Sequence, residues 1–199
     1  MDAEQPASGA EALRRLLEGD TCAAARGLLE CVLERRLPDG ALLRARITET
    51  EAYTPDDPAS HSFTGARPRN AAMFGPSATA YVYRSYGVHW CLNVVTGPPG
   101  YGAAVLLRAA EPLEGDGRMR LLRGLAADAP AKLIATGPGR LAQALAVDRS
   151  FDGAQLLEDS AALRLLPGGL APGEVVLAGP RIGITKAADW PRRFRVGGG

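Results

Sequence analysis

Apolar residues follow helical spacing at the start of the chain and then change to the alternation that is typical of strands. Residues 10–18 (AEALRRLLE) predict a short helix, and Thr21 is the expected N-cap of a second helix over 22–29. Two runs of alternating character follow at 30–37 and 41–53, which predicts two strands.

The connections around these strands have turn-like sequences. Pro38-Asp39-Gly40 predicts a hairpin, because an Asp-Gly pair tolerates the positive φ of a tight turn. The polar segment 54–76 is long for a connector, and loops of this length are usually functional or disordered. Two β-prone runs, 80–86 and 88–96, then meet at Tyr86-Gly87 and predict a second hairpin.

The remaining elements are a buried strand, two helices and several short strands, expected at 103–108, 117–125, 140–146 and around Leu163, Val175 and 193–196. Strands outnumber helices and are mostly joined by turns. The pattern therefore predicts an α+β fold, a single compact domain with a curved antiparallel β-sheet flanked by helices. We expect a partly helical N-terminal extension at 1–20 and the functional domain at 21–199.

Composition places the chain among ordinary globular proteins. It has 199 residues, of which 46% are hydrophobic and 23% are charged, which suits one domain. Three widely spaced cysteines suggest no disulfide framework, and no segment has the character of a membrane span or a signal peptide. We therefore expect a cytoplasmic protein that does not bind membranes.

The net charge of +1 favours no class of partner, but the positive charge is unevenly distributed. No Asp or Glu occurs in 58–110, and Asp189 is the only acidic residue after Arg181. The basic residues of the two regions are Arg67, Arg69, Arg84, Arg108, Lys186, Arg192, Arg193 and Arg195. They would form a basic face for a polyanion if they converge, or an ordinary solvated surface if they scatter.

Two carboxylates in the second strand could carry acid–base chemistry. Strand alternation predicts that Ile47, Glu49, Glu51 and Tyr53 share one face. Burial and like-charge proximity would raise the pKa of at least one carboxyl group. A solvated strand face is the simpler interpretation of the same pattern.

The second hairpin is unusually aromatic, with Tyr81, Tyr83, Tyr86 and Trp90 in ten residues. Core packing would explain Tyr81 or Trp90, but it explains Tyr86 poorly because a hairpin tip is normally exposed. An aromatic tip beside an arginine resembles the wedges that DNA-bending proteins insert between bases.

Other chemistries find little support in the sequence. The two histidines and three cysteines lack the spacing of a zinc site, so we expect no metal. No nucleophile elbow, P-loop or dinucleotide fingerprint occurs.

Seven segments, taken in order, resemble the alkyladenine (3-methyladenine or N-methylpurine) DNA glycosylase family. They are RITETEAY (46–53), DPASHSF (57–63), RPRNAAMFGP (67–76), AYVYRSYGVHWCLNVVTG (80–97), AVLLRAAEPLEG (104–115), TGPGRLAQALAV (136–147) and GPRIGI (179–184). Each is weak alone, but together they span nearly the whole chain and are highly specific. The resemblance implies the compact α+β fold of that family, which agrees with the pattern above.

The resemblance implies catalytic roles for three residues. Glu51 would be the general base that deprotonates the attacking water. Arg108 would help to hold that water, together with the backbone carbonyl of Ile182.

The resemblance also implies a base pocket. Tyr53, His61 and Tyr83 would form its stacking walls, and Asn93 would discriminate against normal guanine through its exocyclic amino group. Val88 stands where a bulkier residue often gates the pocket, which could widen the specificity.

DNA contacts follow from the same resemblance. Tyr86 would fill the gap left by the flipped nucleotide, and we expect Arg67, Arg69 and Arg84 to bind the DNA as well. The partner would be double-stranded DNA that contains a damaged purine, bound by a monomer in the bacterial nucleoid.

The implied activity is that of a monofunctional DNA glycosylase in base excision repair, a hydrolase that needs no cofactor. It would release 3-methyladenine, 7-methylguanine, hypoxanthine or ethenoadenine. A lysine Schiff base is not expected, because the two lysines, Lys132 and Lys186, lie outside the pocket motifs. A non-catalytic nucleic-acid-binding module and a hydrolase of free nucleosides are the alternatives.

Overall fold

A computed structural model describes residues 9–198 of the chain. The helices are α1 (Gly9–Glu18), α2 (Thr21–Gly27), α3 (Asp116–Arg123), α4 (Lys132–Ala135) and α5 (Pro138–Ala144), with 3₁₀ helices at Pro68–Phe74 and Arg149–Phe151. The strands are β1 (Val32–Arg36), β2 (Leu42–Tyr53), β3 (Ala80–Ser85), β4 (His89–Thr96), β5 (Ala103–Glu114), β6 (Leu163–Leu166), β7 (Val175–Gly179) and β8 (Arg193–Gly197).

The strands form one curved antiparallel sheet in the order β3-β4-β5-β2-β1-β6. Strand β2 is its branch point. One edge of β2 pairs with β5, while its other edge pairs first with β1 (residues 42–46) and then with β8 (residues 49–51). The α+β fold with a curved antiparallel sheet is confirmed.

Two clusters of buried apolar residues pack against the sheet. The larger lies between the sheet and the helices and includes Leu33, Leu92 and Leu107. Helix α1 belongs to it, because Leu13 and Leu17 are buried there. The smaller cluster contains Met73, Tyr81, Val95 and Ala104.

Local sequence signals predicted most element positions and missed three details. The N-cap of α2 is Asp20, whose carboxylate accepts a hydrogen bond from the Ala23 amide at 2.8 Å, so the prediction of Thr21 was wrong. Strand β5 continues six residues beyond the predicted end at residue 108. Helix α4 was not predicted, because four residues are too few for a helical pattern.

The residues predicted to share one face of β2 do not all do so, because the pairing of β2 with β5 is irregular. The register with β5 shifts between Ile47 and Glu49 and again between Glu49 and Thr50. Such bulges re-aim the side chains that follow them. Ile47 therefore lies in the main core, whereas Glu49, Glu51 and Tyr53 share one polar network on the other side.

A buried hydroxyl anchors the bulge. Thr50 is fully buried, and its Oγ1 donates to the carbonyl oxygen of Ala25 at 2.7 Å, near the end of α2. Carbonyls in the last turn of a helix lack a partner within the helix. The hydroxyl therefore fixes α2 to the strand at the point where the strand is irregular.

We predict that Thr50→Val lowers the free energy of unfolding by about 1–3 kcal/mol, because the Ala25 carbonyl would stay buried without its donor. Urea denaturation measures the change. Thr48→Val is the control on the same strand and should stay within about 0.5 kcal/mol of the parent. Equal stability of the two variants would contradict the assigned role of the hydroxyl.

Candidate active site

A cavity of about 450 Å³ opens between the β3–β4 hairpin, the loop after β2 and the segment after β7. Most of its side chains are aromatic, basic or polar. The lining consists of Tyr53, Ala59, His61, Arg69, Met73, Tyr81, Tyr83, Arg84, Ser85, Tyr86, Asn93, Arg149, Gly183 and Ile184. The residues that the sequence predicted to bind a base or DNA and that the structure brings together here are Tyr53, His61, Arg69, Tyr83, Arg84, Tyr86 and Asn93.

Three aromatic rings pack together in this wall. The rings of His61 and Tyr83 lie edge to face, with centroids 4.5 Å apart, and Tyr81 lies 5.6 Å from Tyr83. The Tyr81 hydroxyl is 2.8 Å from His61 Nδ1, within hydrogen-bond distance. These contacts give the cavity a rigid aromatic wall of the kind on which a planar ring can stack.

The titratable groups of this wall favour their uncharged forms. Partial burial, with a further contribution from the positive charge of Arg69, lowers the pKa of His61 below its ordinary value of 6.5. Burial raises the pKa of Tyr81 to about 12 and also raises the pKa of Tyr83. At neutral pH the three side chains therefore present neutral rings.

Two asparagines hold the wall in place. Asn93 is buried, and its amide nitrogen donates to the Tyr81 carbonyl at 2.9 Å. Asn70, also buried, donates to the His61 carbonyl at 2.8 Å and accepts from the Arg67 amide at 2.6 Å. The sequence interpretation gave Asn93 a role but missed Asn70, although it lies within a matching segment (RPRNAAMFGP).

Glu51 lies directly behind the cavity wall, and its side chain is completely buried. Three donors surround the carboxylate. The Tyr53 hydroxyl donates to Oε2 at 2.8 Å and the Ile182 amide donates to Oε1 at 2.9 Å, while Arg108 Nη1 lies 3.4 Å from Oε1. Tyr53, whose hydroxyl binds the carboxylate, also lines the cavity.

This arrangement leaves the carboxylate able to bind one more donor. An ionised carboxylate offers about four acceptor positions; Tyr53 and Ile182 donate hydrogen bonds to two of them, and a third faces Arg108 in an ion pair. Burial, and then the nearby negative charge of Glu51, raise the pKa of the Tyr53 hydroxyl, which keeps that hydroxyl a donor. A water molecule that reached the fourth position would meet a proton acceptor.

Glu49 lies beside Glu51 and neutralises part of the positive charge of the nearby arginines. Its Oε1 accepts from Arg108 Nε at 3.0 Å and from Arg193 Nη1 at 3.1 Å. Two of the arginines proposed for a basic face, Arg108 and Arg193, are therefore committed to carboxylates inside the site. Arg67, Arg69 and Arg84 are exposed, and no ion pair involves them within residues 9–198.

The hairpin tip carries the most exposed aromatic side chain at the cavity. Tyr86 is 91% exposed and lies with Gly87 in a turn in which both residues have positive φ, +49° and +70°. Positive φ at both central positions is the signature of a type I′ hairpin turn. The prediction of an exposed aromatic tip is confirmed.

Val88 and Arg67 lie outside the residues that line the cavity. Val88 is 63% exposed at the hairpin tip, next to Tyr86 and Gly87. Arg67 lies at the start of the 3₁₀ helix Pro68–Phe74. A pocket-gating role for Val88 and a DNA contact by Arg67 stay predictions.

Two further properties bear on the chemistry of the site. In the described part of the chain, no group of three or more His, Cys, Asp or Glu side chains is arranged to hold a metal ion. Across the same residues, every helix is too short or too polar to cross a membrane.

Comparisons with known proteins identify the family that the chain resembles. The family model for methylpurine-DNA glycosylase (MPG) matches residues 15–199. A protein from Nitrosospira multiformis is 52% identical over 153 residues, which is 77% of this chain and 76% of that protein. One from Agrobacterium fabrum is 52% identical over 152 residues, covering 76% and 74%. One from Methanoculleus marisnigri is 46% identical over 183 residues, covering 91% and 92%. All three bear the name "Putative 3-methyladenine DNA glycosylase".

We predict that His61 titrates with a midpoint below pH 6.5, because burial and Arg69 disfavour the imidazolium ion. The chain has two histidines, so His89→Gln leaves one imidazole to follow by NMR. The unfolded chain would take up this proton more readily, so His61 should lower the stability as the pH falls through 6.5. A midpoint above 6.5 would contradict the assignment.

Proposed function

The chain belongs to the methylpurine-DNA glycosylase family, hydrolases of DNA repair that act on DNA, and we propose that Glu51 is its general base. In this proposal the enzyme flips an alkylated or deaminated purine out of duplex DNA into the cavity. A water activated by Glu51 then hydrolyses the N-glycosidic bond. Candidate bases are 3-methyladenine, 7-methylguanine, hypoxanthine and ethenoadenine.

The single observation that carries the proposal is the buried carboxylate of Glu51, with three donors around it and an aromatic cavity in front. A solvated strand face would leave this side chain exposed, whereas it is fully buried. A buried carboxylate that accepts a hydrogen bond on each oxygen, next to an aromatic cavity, suits the activation of a nucleophilic water.

The aromatic wall suits a cationic purine. Alkylation of a ring nitrogen leaves a positive charge on the base, and electron-rich rings attract cations over their faces by about 0.5–2 kcal/mol. Tyr53 and Tyr83 supply such rings at the cavity. The lowered pKa of His61 keeps a second positive charge away from the bound base.

The proposed reaction transfers one proton and breaks one bond. Glu51 accepts a proton from water while the water oxygen bonds to C1′ of the sugar. The electron pair of the glycosidic bond passes to the purine, so a cationic base leaves as a neutral molecule. A neutral base such as hypoxanthine leaves as an anion, which takes up a proton from the solvent. Arg108, beside both Glu51 and Glu49, would help to orient the water. The products are the free base and an abasic site, with the strand intact.

The exposed hairpin tip supports base flipping. Rotating a nucleotide out of the duplex costs a few kcal/mol, and a ring that takes its place in the stack offsets part of this cost. Tyr86 is exposed for insertion, and Arg69 and Arg84 lie at the same cavity with no carboxylate partner among residues 9–198.

We further propose that the enzyme works as a monomer on chromosomal DNA in the bacterial nucleoid.

We predict that Glu51→Gln lowers the single-turnover rate of base release by about 10²–10⁴-fold, the usual contribution of a general base. Duplexes that contain hypoxanthine, ethenoadenine or 3-methyladenine are incubated with excess protein, and alkali then cleaves the abasic sites. The dissociation constant for lesion DNA should change little, because the substituted amide keeps the shape of the original side chain.

Glu34→Gln is the matched control, since Glu34 is also a buried carboxylate but pairs with Arg44 and Arg164. It should release bases at the rate of the parent. Full activity of Glu51→Gln would remove Glu51 from the base role. No release by folded parent protein from any duplex would favour a non-catalytic binding module, and equal turnover of free nucleosides would favour a nucleoside hydrolase.

We predict that Tyr86→Ser slows base release from duplex DNA by about tenfold or more, in line with the roughly 1–3 kcal/mol that stacking on one aromatic side chain contributes. Release from single-stranded DNA should change far less, because no duplex stack has to be opened. Tyr101→Ser replaces another exposed tyrosine outside the cavity and should have no effect. An equal loss on both substrates would contradict the wedge role.

A further inference from the structure

A completely buried ion pair, Asp57–Arg181, joins the loop after β2 to the segment after β7. The pair is bidentate. Arg181 Nη1 donates to Asp57 Oδ2, and Arg181 Nη2 donates to Asp57 Oδ1 at 3.0 Å. Both residues lie in segments that match the family resemblance, DPASHSF and GPRIGI, yet the sequence assigned a role to neither.

Stability alone does not explain this pair. Removing two charges from water costs several kcal/mol, and replacing a buried ion pair by apolar side chains is often neutral or stabilising. Here one donor of the guanidinium, Arg181 Nε, is buried without a hydrogen-bond partner in the described part of the chain.

The guanidinium also contacts the strand that carries Glu51. Arg181 Nη1 donates to the carbonyl of Ala52 at 3.1 Å, and the guanidinium carbon lies 4.6 Å from the centre of the Tyr53 ring. Ala52 and Tyr53 directly follow Glu51 in the sequence. Arg181 therefore contacts both the backbone next to Glu51 and the aromatic ring whose hydroxyl donates to Glu51.

The same residue fixes the third partner of the carboxylate. Ile182 follows Arg181, and its amide donates to Glu51 Oε1. The segment between β7 and β8 contains no helix or strand, and Ile182 is 50% exposed. Beside the ion pair, Arg193 also holds this segment, since its Nε donates to the Pro180 carbonyl at 2.9 Å.

The neighbouring arginine cannot take over this task. Arg192 Nη1 lies 3.7 Å from Asp57 Oδ2 and donates to Thr54 Oγ1 at 2.5 Å. It contacts the loop after β2 and the exposed Asp56, at the far end of the segment that carries Ile182. Arg192 thus helps to neutralise Asp57 but leaves Ile182 unsupported.

We propose that Asp57 and Arg181 are positioning residues, whose ion pair locks the Ile182 amide and Tyr53 onto Glu51 and so orients the carboxylate for water. This inference rests on the proposed role of Glu51. It predicts that the pair affects the rate of base release far more than the binding of lesion DNA.

The test uses the full-length double variant Asp57→Asn/Arg181→Met, which removes both charges and leaves no unpaired buried ion. We expect a folded protein whose single-turnover release of hypoxanthine falls by about 10- to 100-fold, since a shift of about 1 Å in a catalytic group can cost 10²-fold in rate. Its dissociation constant for the lesion duplex should stay within about threefold of the parent. Hydrogen exchange should accelerate in the peptide that covers 180–187.

The matched control is Glu34→Gln/Arg164→Met, which removes another buried carboxylate and one of its two arginine partners, on β1 and β6. It should leave rate, binding and exchange at 180–187 unchanged. Arg181→Lys keeps a cation opposite Asp57 and remains testable if the double variant fails to fold. It should lose rate but not binding, because one ammonium group cannot hold Asp57 and the Ala52 carbonyl in the same geometry.

Release within about twofold of the parent by either folded variant would overturn the inference, as would equal losses in the variant and its control. Rate and binding that fall together would also overturn it, because they indicate a distorted cavity. The Glu51→Gln variant distinguishes a failure of the positioning role of Asp57 and Arg181 from a failure of the general-base role of Glu51. If it is inactive while the ion-pair variants are normal, only the positioning role fails; if it is active, the general-base role fails first.

Discussion

The buried carboxylate of Glu51 is the constraint on which the rest of the site depends. An ionised carboxylate out of water is unfavourable unless it is paired and hydrogen-bonded. Three donors satisfy this requirement, from the same strand (Tyr53), from the neighbouring strand (Arg108) and from the segment after β7 (Ile182). Each donor is therefore fixed by its contact with the carboxylate, and each in turn stabilises the buried charge.

The sheet and the loops contribute differently to this arrangement. The irregular pairing of β2 turns Glu49, Glu51 and Tyr53 toward one polar network while the preceding residues stay in the apolar core. Loops then close around the network, with Asn70 holding the His61 backbone and Arg181 holding the segment of Ile182. A strand thus carries Glu51, and loops supply much of the wall of the cavity.

The sequence predicted the fold class, the positions of most strands and the exposed tip at Tyr86, because those features depend on local patterns. It could not predict the bulge in β2, since alternation carries no sign of a register shift. The partnership of Asp57 with Arg181 spans 124 residues, and the pairing of β8 with β2 is similarly remote. Such contacts depend on the complete topology. Tyr81 was interpretable as core and proved to be both core and cavity wall.

A crystal structure of the Glu51→Gln variant bound to a duplex that contains ethenoadenine would test most directly whether this side chain faces the flipped nucleotide. We expect the purine to lie in the aromatic cavity beside Tyr53 and His61, with the Ile182 amide still directed at the substituted side chain. A water should lie between that side chain and C1′ of the flipped nucleotide. A lesion that stays stacked in the duplex, or a C1′ that faces away from the substituted side chain, would contradict the account.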